Sequence, residues 1–221
     1  IQAVLVHSVP ETEDSSSLAK VKKDVFSPEY WKHCDEVISM AEELGLYMAL
    51  LPAWGALVKN HVLTAENVKE YADFLGKRYQ ERPNIVWLLG GDVRGNEGPD
   101  VFDTEGWVLK SWNPDRLIGY HPFGRTSSSL WFHDKEWLDF DMFQSGHRRY
   151  DQVTLGQWDD NAAREGFFGE DNWRYVERDL NCSPAKPTVD GEPSYEGIPQ
   201  GLHDSTPVSY THLTLPTTSR V

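Results

Sequence analysis

The chain has 221 residues, 39% hydrophobic and 25% charged, enough for one globular domain with a sizeable core. Its net charge of −14, with no run of Lys or Arg, argues against nucleic acid or an anionic membrane surface as partner. No stretch approaches the roughly 20 apolar residues of a membrane helix, so no membrane segment is expected. Two cysteines, Cys34 and Cys182, sit outside any metal-spaced cluster and leave the redox compartment open.

The sequence opens inside an apolar run, Ile1 to Val6, read as a strand that ends at His7-Ser8; the chain is therefore expected to begin within a longer protein. Residues 10–23 are polar and read as a loop. Ser27-Pro28-Glu29 has the order of a helix start: a capping hydroxyl, Pro at the first helical position, then an acid. Tyr30, Cys34, Val37, Ile38, Ala41 and Leu44 follow at helical spacing, and Gly45 stops the run. Leu46 to Pro52 is continuously apolar, as expected of a strand buried on both faces. Thr64 begins a second helix carrying Val68, Tyr71, Ala72, Leu75 and Tyr79 on one face. Pro83 closes that connection, and the strand Ile85 to Leu89 runs into Gly90-Gly91-Asp92.

After a loop over Arg94 to Pro99, a short helix is predicted near Glu105 to Trp112, then a strand from Leu117 to His121. Only Trp131 to Leu138 could be helical before the next strand, Phe140 to His147. A helix over Asp171 to Leu180 leads to a last strand, Pro187 to Asp190, followed by Gly191-Glu192. Alternating strands and helices imply parallel βαβ units. The expected fold is α/β, a TIM (β/α)8-type barrel truncated at both ends, with six of its eight strands within this chain. Such an open barrel exposes apolar edges, so the 221-residue piece is expected to be poorly soluble or inactive.

Residues 1–207 are read as the partial catalytic domain. Residues 208–221 are set apart, because Val208 to Thr217 resembles the frame translation of a transposase-tagging sequencing adapter.

Parallel barrels keep their chemistry at the C-terminal strand ends. Asp92 and Glu192 both fall there, and although either alone could be a turn former, together they suit glycosidic hydrolysis. That reaction needs one carboxyl group to protonate the leaving oxygen and another to attack the anomeric carbon or activate water. His7, His121 and His147 also end strands, with His133 in a loop, but no H-x-H or H-E-x-x-H signature appears. No metal and no cofactor is therefore assigned. His121, Gln144 and His147 suit hydrogen bonds to sugar hydroxyls, and Trp54 suits a platform for a sugar ring or plain core packing. Arg148-Arg149 could meet an anionic substituent, though solvated surface is the simpler reading.

Several blocks resemble the apiosidase-like catalytic domain of glycoside hydrolase family 140. They are Leu50-Leu51-Pro52-Ala53-Trp54-Gly55, Arg82 to Asp92, Tyr120-His121-Pro122, Ser127-Ser128-Ser129, Trp137 to Phe140, Gln144-Ser145-Gly146-His147 and Asp190 to Glu196. The resemblance implies a barrel whose acid/base is Asp92 and whose nucleophile is Glu192, with exchanged roles left open. It implies an oligo- or polysaccharide substrate of the plant cell wall, pectin-type and apiose-containing, and a secreted, periplasmic or cell-surface bacterial location. The alternatives are a non-catalytic carbohydrate-binding barrel and a metal-dependent barrel hydrolase that uses the histidines.

Overall fold

The structure, a computed structural model, describes residues 1–7, 28–146, 167 and 171–193. Within them the strands are β1 (Gln2–Val4), β2 (Met48–Leu51), β3 (Ile85–Gly90), β4 (Ile118–His121), β5 (Asp141–Phe143) and β6 (Thr188–Asp190). The helices are α1 (Pro28–Glu43), α2 (Ala56–Lys59), α3 (Val68–Tyr79), α4 (Pro99–Trp112) and α5 (Asn172–Leu180). Strands β1 to β4 form one parallel sheet in sequence order, and β5 and β6 pair in parallel as a second. The α/β order read from the sequence is thus present, and every strand brings its C-terminal end to the same side.

Local chemistry explains the elements. Helix α1 starts at Pro28 and ends where Gly45 takes φ +68°, with the Leu46 N–H donating to the Ala41 carbonyl at 2.8 Å. Strand β2 is almost wholly buried because β1 and β3 flank it and side chains cover both faces. Helix α3 turns Val68, Tyr71, Ala72, Leu75 and Tyr79 inward, as its spacing predicts.

Two apolar layers result. The larger lies between the sheet and the helices and includes Ile38, Leu50, Leu75, Trp87, Leu89, Phe102 and Ile118. The smaller lies on the other face of the strands, where Leu51, Leu88 and Met142 meet Val4, Ala49, Trp54 and Phe140.

Two expectations are corrected. Helix α4 begins at Pro99 rather than near Glu105, with Pro at its first turn and Asp100 behind it. Trp131 to Leu138 is not helical; a 3-10 turn at Ser128–Leu130 precedes turns and bends. Strands β4 and β5 share no ladder. Instead the Asp139 carboxylate accepts the Ile118 N–H at 2.7 Å, and the loop after β4 pairs antiparallel with β5 through Ser127 and Phe143. A carboxylate and a returning loop satisfy backbone groups that a neighbouring strand would otherwise serve. The segment 208–221 and His147 to Arg149 lie outside the described residues.

Candidate active site

Strand β3 delivers Asp92 through two glycines in left-handed backbone, φ +86° at Gly90 and +103° at Gly91. Both must be glycine. A Cβ on Gly90 would come 2.5 Å from the His121 carbonyl oxygen, and one on Gly91 would come 2.7 Å from Trp54 Cε3. The Gly91 N–H donates to the His121 carbonyl at 2.9 Å, and the Gly91 carbonyl accepts the Gly55 N–H at 3.1 Å. Asp92 itself holds φ +49°, a conformation that a non-glycine residue rarely adopts, and its side chain is exposed. Two neighbouring loops therefore clamp the turn and aim the carboxylate off the strand end.

Strand β6 delivers Glu192. Just before it, Asp190 accepts the Ser145 hydroxyl at 2.6 Å and the Ser145 N–H at 3.3 Å, tying the end of β6 to the end of β5. Burial pushes the Asp190 carboxyl up, and the Ser145 hydrogen bonds offset part of that rise. The Gly191 N–H donates to Phe143 at 2.9 Å, and the Glu192 carbonyl accepts the Gly146 N–H at 3.3 Å. The Glu192 carboxylate then meets His121, the last residue of β4, with Nε2 to Oε2 at 3.4 Å. Donor atoms of Asp92, His121 and Glu192 all lie within 4.8 Å of one another. The two acids, a hundred positions apart in the sequence, meet with one imidazole in a single cluster.

A cavity of about 300 Å³ opens beside His121 and Glu192, lined also by Val4, Leu51, Trp54 and Pro193 among others, with Asp92 outside its lining. Trp54 stacks on His7 at 5.7 Å and 27°, and its ring lies 5.9 Å from that of His121. It both covers the Gly91 backbone and faces the cavity, so packing and platform are one position. A larger cavity, about 470 Å³, lies at the opposite strand ends and includes Tyr47, Arg82, Arg116 and Leu117. There the Arg116 guanidinium already donates to the carbonyls of Tyr79, Gln80, Arg82 and Ile85. Size favours that cavity, but the smaller one holds Glu192 and His121, whose donor atoms lie within 4.8 Å of one on Asp92.

Gln144 follows β5 and is 5% exposed, with no partner for its Oε1 among the described residues. It lies beside Gly124, and the 300 Å³ cavity does not include it. His147 lies outside the described residues. His133 is buried away from the site, with Nδ1 2.6 Å from Asp141 and Nε2 2.7 Å from the Pro184 carbonyl. Sequence reasoning passed over Asp190, although the Asp-Gly-Glu run contains it. It also passed over Asp179, whose carboxylate accepts from Ser127, Ser129 and Thr188 at 2.6–2.9 Å.

Asp92, His121 and Glu192 are also the described residues that could hold a divalent cation. Bonds of about 2.1 Å place adjacent donors roughly 3.4 Å apart. His121 and Glu192 already have that spacing.

The family described as apiosidase-like, catalytic domain, matches residues 1–214. Among solved structures, the chain is similar to a glycoside hydrolase family 5 protein from Bacteroides vulgatus ATCC 8482. That match has 37% identity and a TM-score of 0.77 and covers 94% of this chain and 45% of that one. A second, named as a glycoside hydrolase, matches with 38% identity and a TM-score of 0.79 over 95% of this chain and 48% of that one. No curated protein matches. The parallel strands are therefore those of a TIM-barrel-type glycoside hydrolase fold, and the chain spans about half the length of the structures it matches. No helix among the described residues is long and apolar enough to cross a membrane.

Proposed function

The chain belongs to the apiosidase-like catalytic-domain family, and on that premise we propose that the full-length protein is a retaining glycoside hydrolase of family 140 type. Its substrate in this reading is a pectin-type, apiose-containing polysaccharide of the plant cell wall. The observation that carries the reading is the pair of carboxylates beyond the C-terminal ends of β3 and β6, with oxygens within 4.8 Å. Retaining glycosidases hold their carboxyl groups about 5–5.5 Å apart, whereas inverting ones leave roughly 6.5–9.5 Å for a water.

Roles follow from exposure. The acid/base must hand its proton to the leaving oxygen and then take one from water, so it needs access to solvent. Asp92 is exposed and suits that part. Glu192, whose side chain is 15% exposed and sits against His121, suits the nucleophile, which forms and then releases a glycosyl ester. Trp54 and His121 line the space a sugar would occupy. Gln144 and His147 complete the set at the β5 end in this reading.

The test is Asp92→Asn and Glu192→Gln in the full-length protein, assayed on pectic oligosaccharides with the released sugar and its anomeric form identified. Loss of the acid is expected to cost about 10²- to 10⁴-fold in kcat/KM, and loss of the nucleophile at least about 10³-fold. Near-wild-type turnover by either variant would remove the reading. The Asp92, His121 and Glu192 cluster favours one competitor, a metal-dependent hydrolase. Full activity after dialysis against a chelator would exclude it.

A further inference from the structure

We propose that His121 is the positioning residue of this site, holding the Asp92 turn with its backbone and the Glu192 carboxylate with its ring. This rests on the reading of Asp92 and Glu192 as the hydrolytic pair. On the backbone side, the His121 carbonyl accepts the N–H of Gly91, the residue immediately before Asp92. Gly90 packs so close to the same oxygen that no side chain fits between them. The end of β3 therefore cannot slide without moving His121.

The ring is held as firmly. It is 4% exposed, lies beside Trp54, and places Nδ1 3.2 Å from the Pro122 carbonyl. With Nδ1 turned to that carbonyl, Nε2 is the ring nitrogen that faces Glu192, 3.4 Å from Oε2. The contact is long for a hydrogen bond, and such contacts tighten once substrate is bound. His121 thus acts through Glu192 rather than as a reader of sugar hydroxyls.

The experiment compares His121→Ala with His121→Gln in the full-length protein, on pectic oligosaccharides or 4-nitrophenyl glycosides that the wild type turns over. Glutamine can place an amide nitrogen near the position of Nε2; alanine cannot. The alanine variant is expected to lose about 10²-fold in kcat with KM changed less than about threefold. The glutamine variant is expected to recover at least about tenfold of that loss. A raised KM with kcat kept would instead mark a hydroxyl-binding residue and overturn the assignment. So would equal losses in both variants.

A readout independent of turnover is ¹⁵N NMR of the His121 ring. A displaced Nε2 resonance in Glu192→Gln relative to the wild type is the expected result. Ring resonances unmoved by that substitution overturn the proposal. The two levels separate cleanly. Activity retained by Asp92→Asn or Glu192→Gln defeats the hydrolytic reading, whereas their inactivity beside an unimpaired His121→Ala defeats only this one.

Discussion

Around β1 to β4 the interior is filled almost wholly by apolar side chains, whereas around β5 and β6 buried carboxylates and hydroxyls take their place. In the first region Leu75, Val68 and Ile118 are fully enclosed, and the buried polar groups are few: Asn84, Glu105, Arg116 and, at the site, His121. In the second, Asp141 binds Ser128 and His133, Asp179 binds Ser127, Ser129 and Thr188, and Asp190 binds Ser145. The difference lies in what each region must hold. The first packs helices on a four-stranded sheet, where apolar area stabilises without regard to direction. The second joins strands that lack a shared ladder to irregular loops, and directional bonds supply what the ladder does not.

The largest expected effect comes from breaking the second region. Asp179 is fully buried, and its two oxygens accept from three hydroxyls on the loop after β4 and on β6. Asp179→Ala removes the acceptor of all three, leaving Ser127 and Ser129 only their longer bonds to the Met142 carbonyl and to the Ser127 hydroxyl, and is expected to cost about 3–5 kcal/mol in urea unfolding. Because Thr188 starts the strand that ends beside Glu192, turnover should fall as well.

The matching cut in the first region is Leu75→Ala. Leu75 is fully enclosed on α3, so the expected loss is about 2–4 kcal/mol by the same measurement, with KM unchanged. A larger loss for Leu75→Ala than for Asp179→Ala would break the comparison.

The contrast also explains what could be read in advance. Strands β2 and β3 and helices α1 and α3 announce themselves because apolar burial leaves a period in the sequence. The start of α4 was missed because Gly98-Pro99-Asp100 carries turn chemistry and helix-start chemistry at once. Nothing periodic marks the β4–β5 connection, since Asp139, Ser127 and Ser128 act there through single directional bonds. In the site, Asp92, His121 and Glu192 were legible as strand-end residues of suitable chemistry. Their convergence was not, because it depends on Gly91 binding the His121 carbonyl and on Asp190 gripping Ser145, contacts that join distant stretches of chain.

The smallest expected effect comes from the residue that breaks the pattern of the first region. Glu105 on α4 is 2% exposed, and its Oε1 has no hydrogen-bond partner among the described residues. Asp179 has hydroxyls to stabilise its charge; Glu105 has none at that oxygen among the described residues, and burial pushes its carboxyl up to about 8 from 4.5. Between those values the unfolded chain has released a proton that the folded chain keeps. The folded state therefore binds more protons, and stability falls as pH rises across that window. Below about 4.5 the contribution is fully present, and above about 8 the loss is complete. Glu105→Met keeps the length and removes the charge, so it should stabilise the protein by about 1–3 kcal/mol at pH 7 and by almost nothing at pH 4.5. Melting temperatures of both proteins at pH 5, 6, 7 and 8 measure this, and the gap between them should widen with pH. A constant gap would mean that Glu105 has found a partner for its charge, and that the two regions handle buried acids alike.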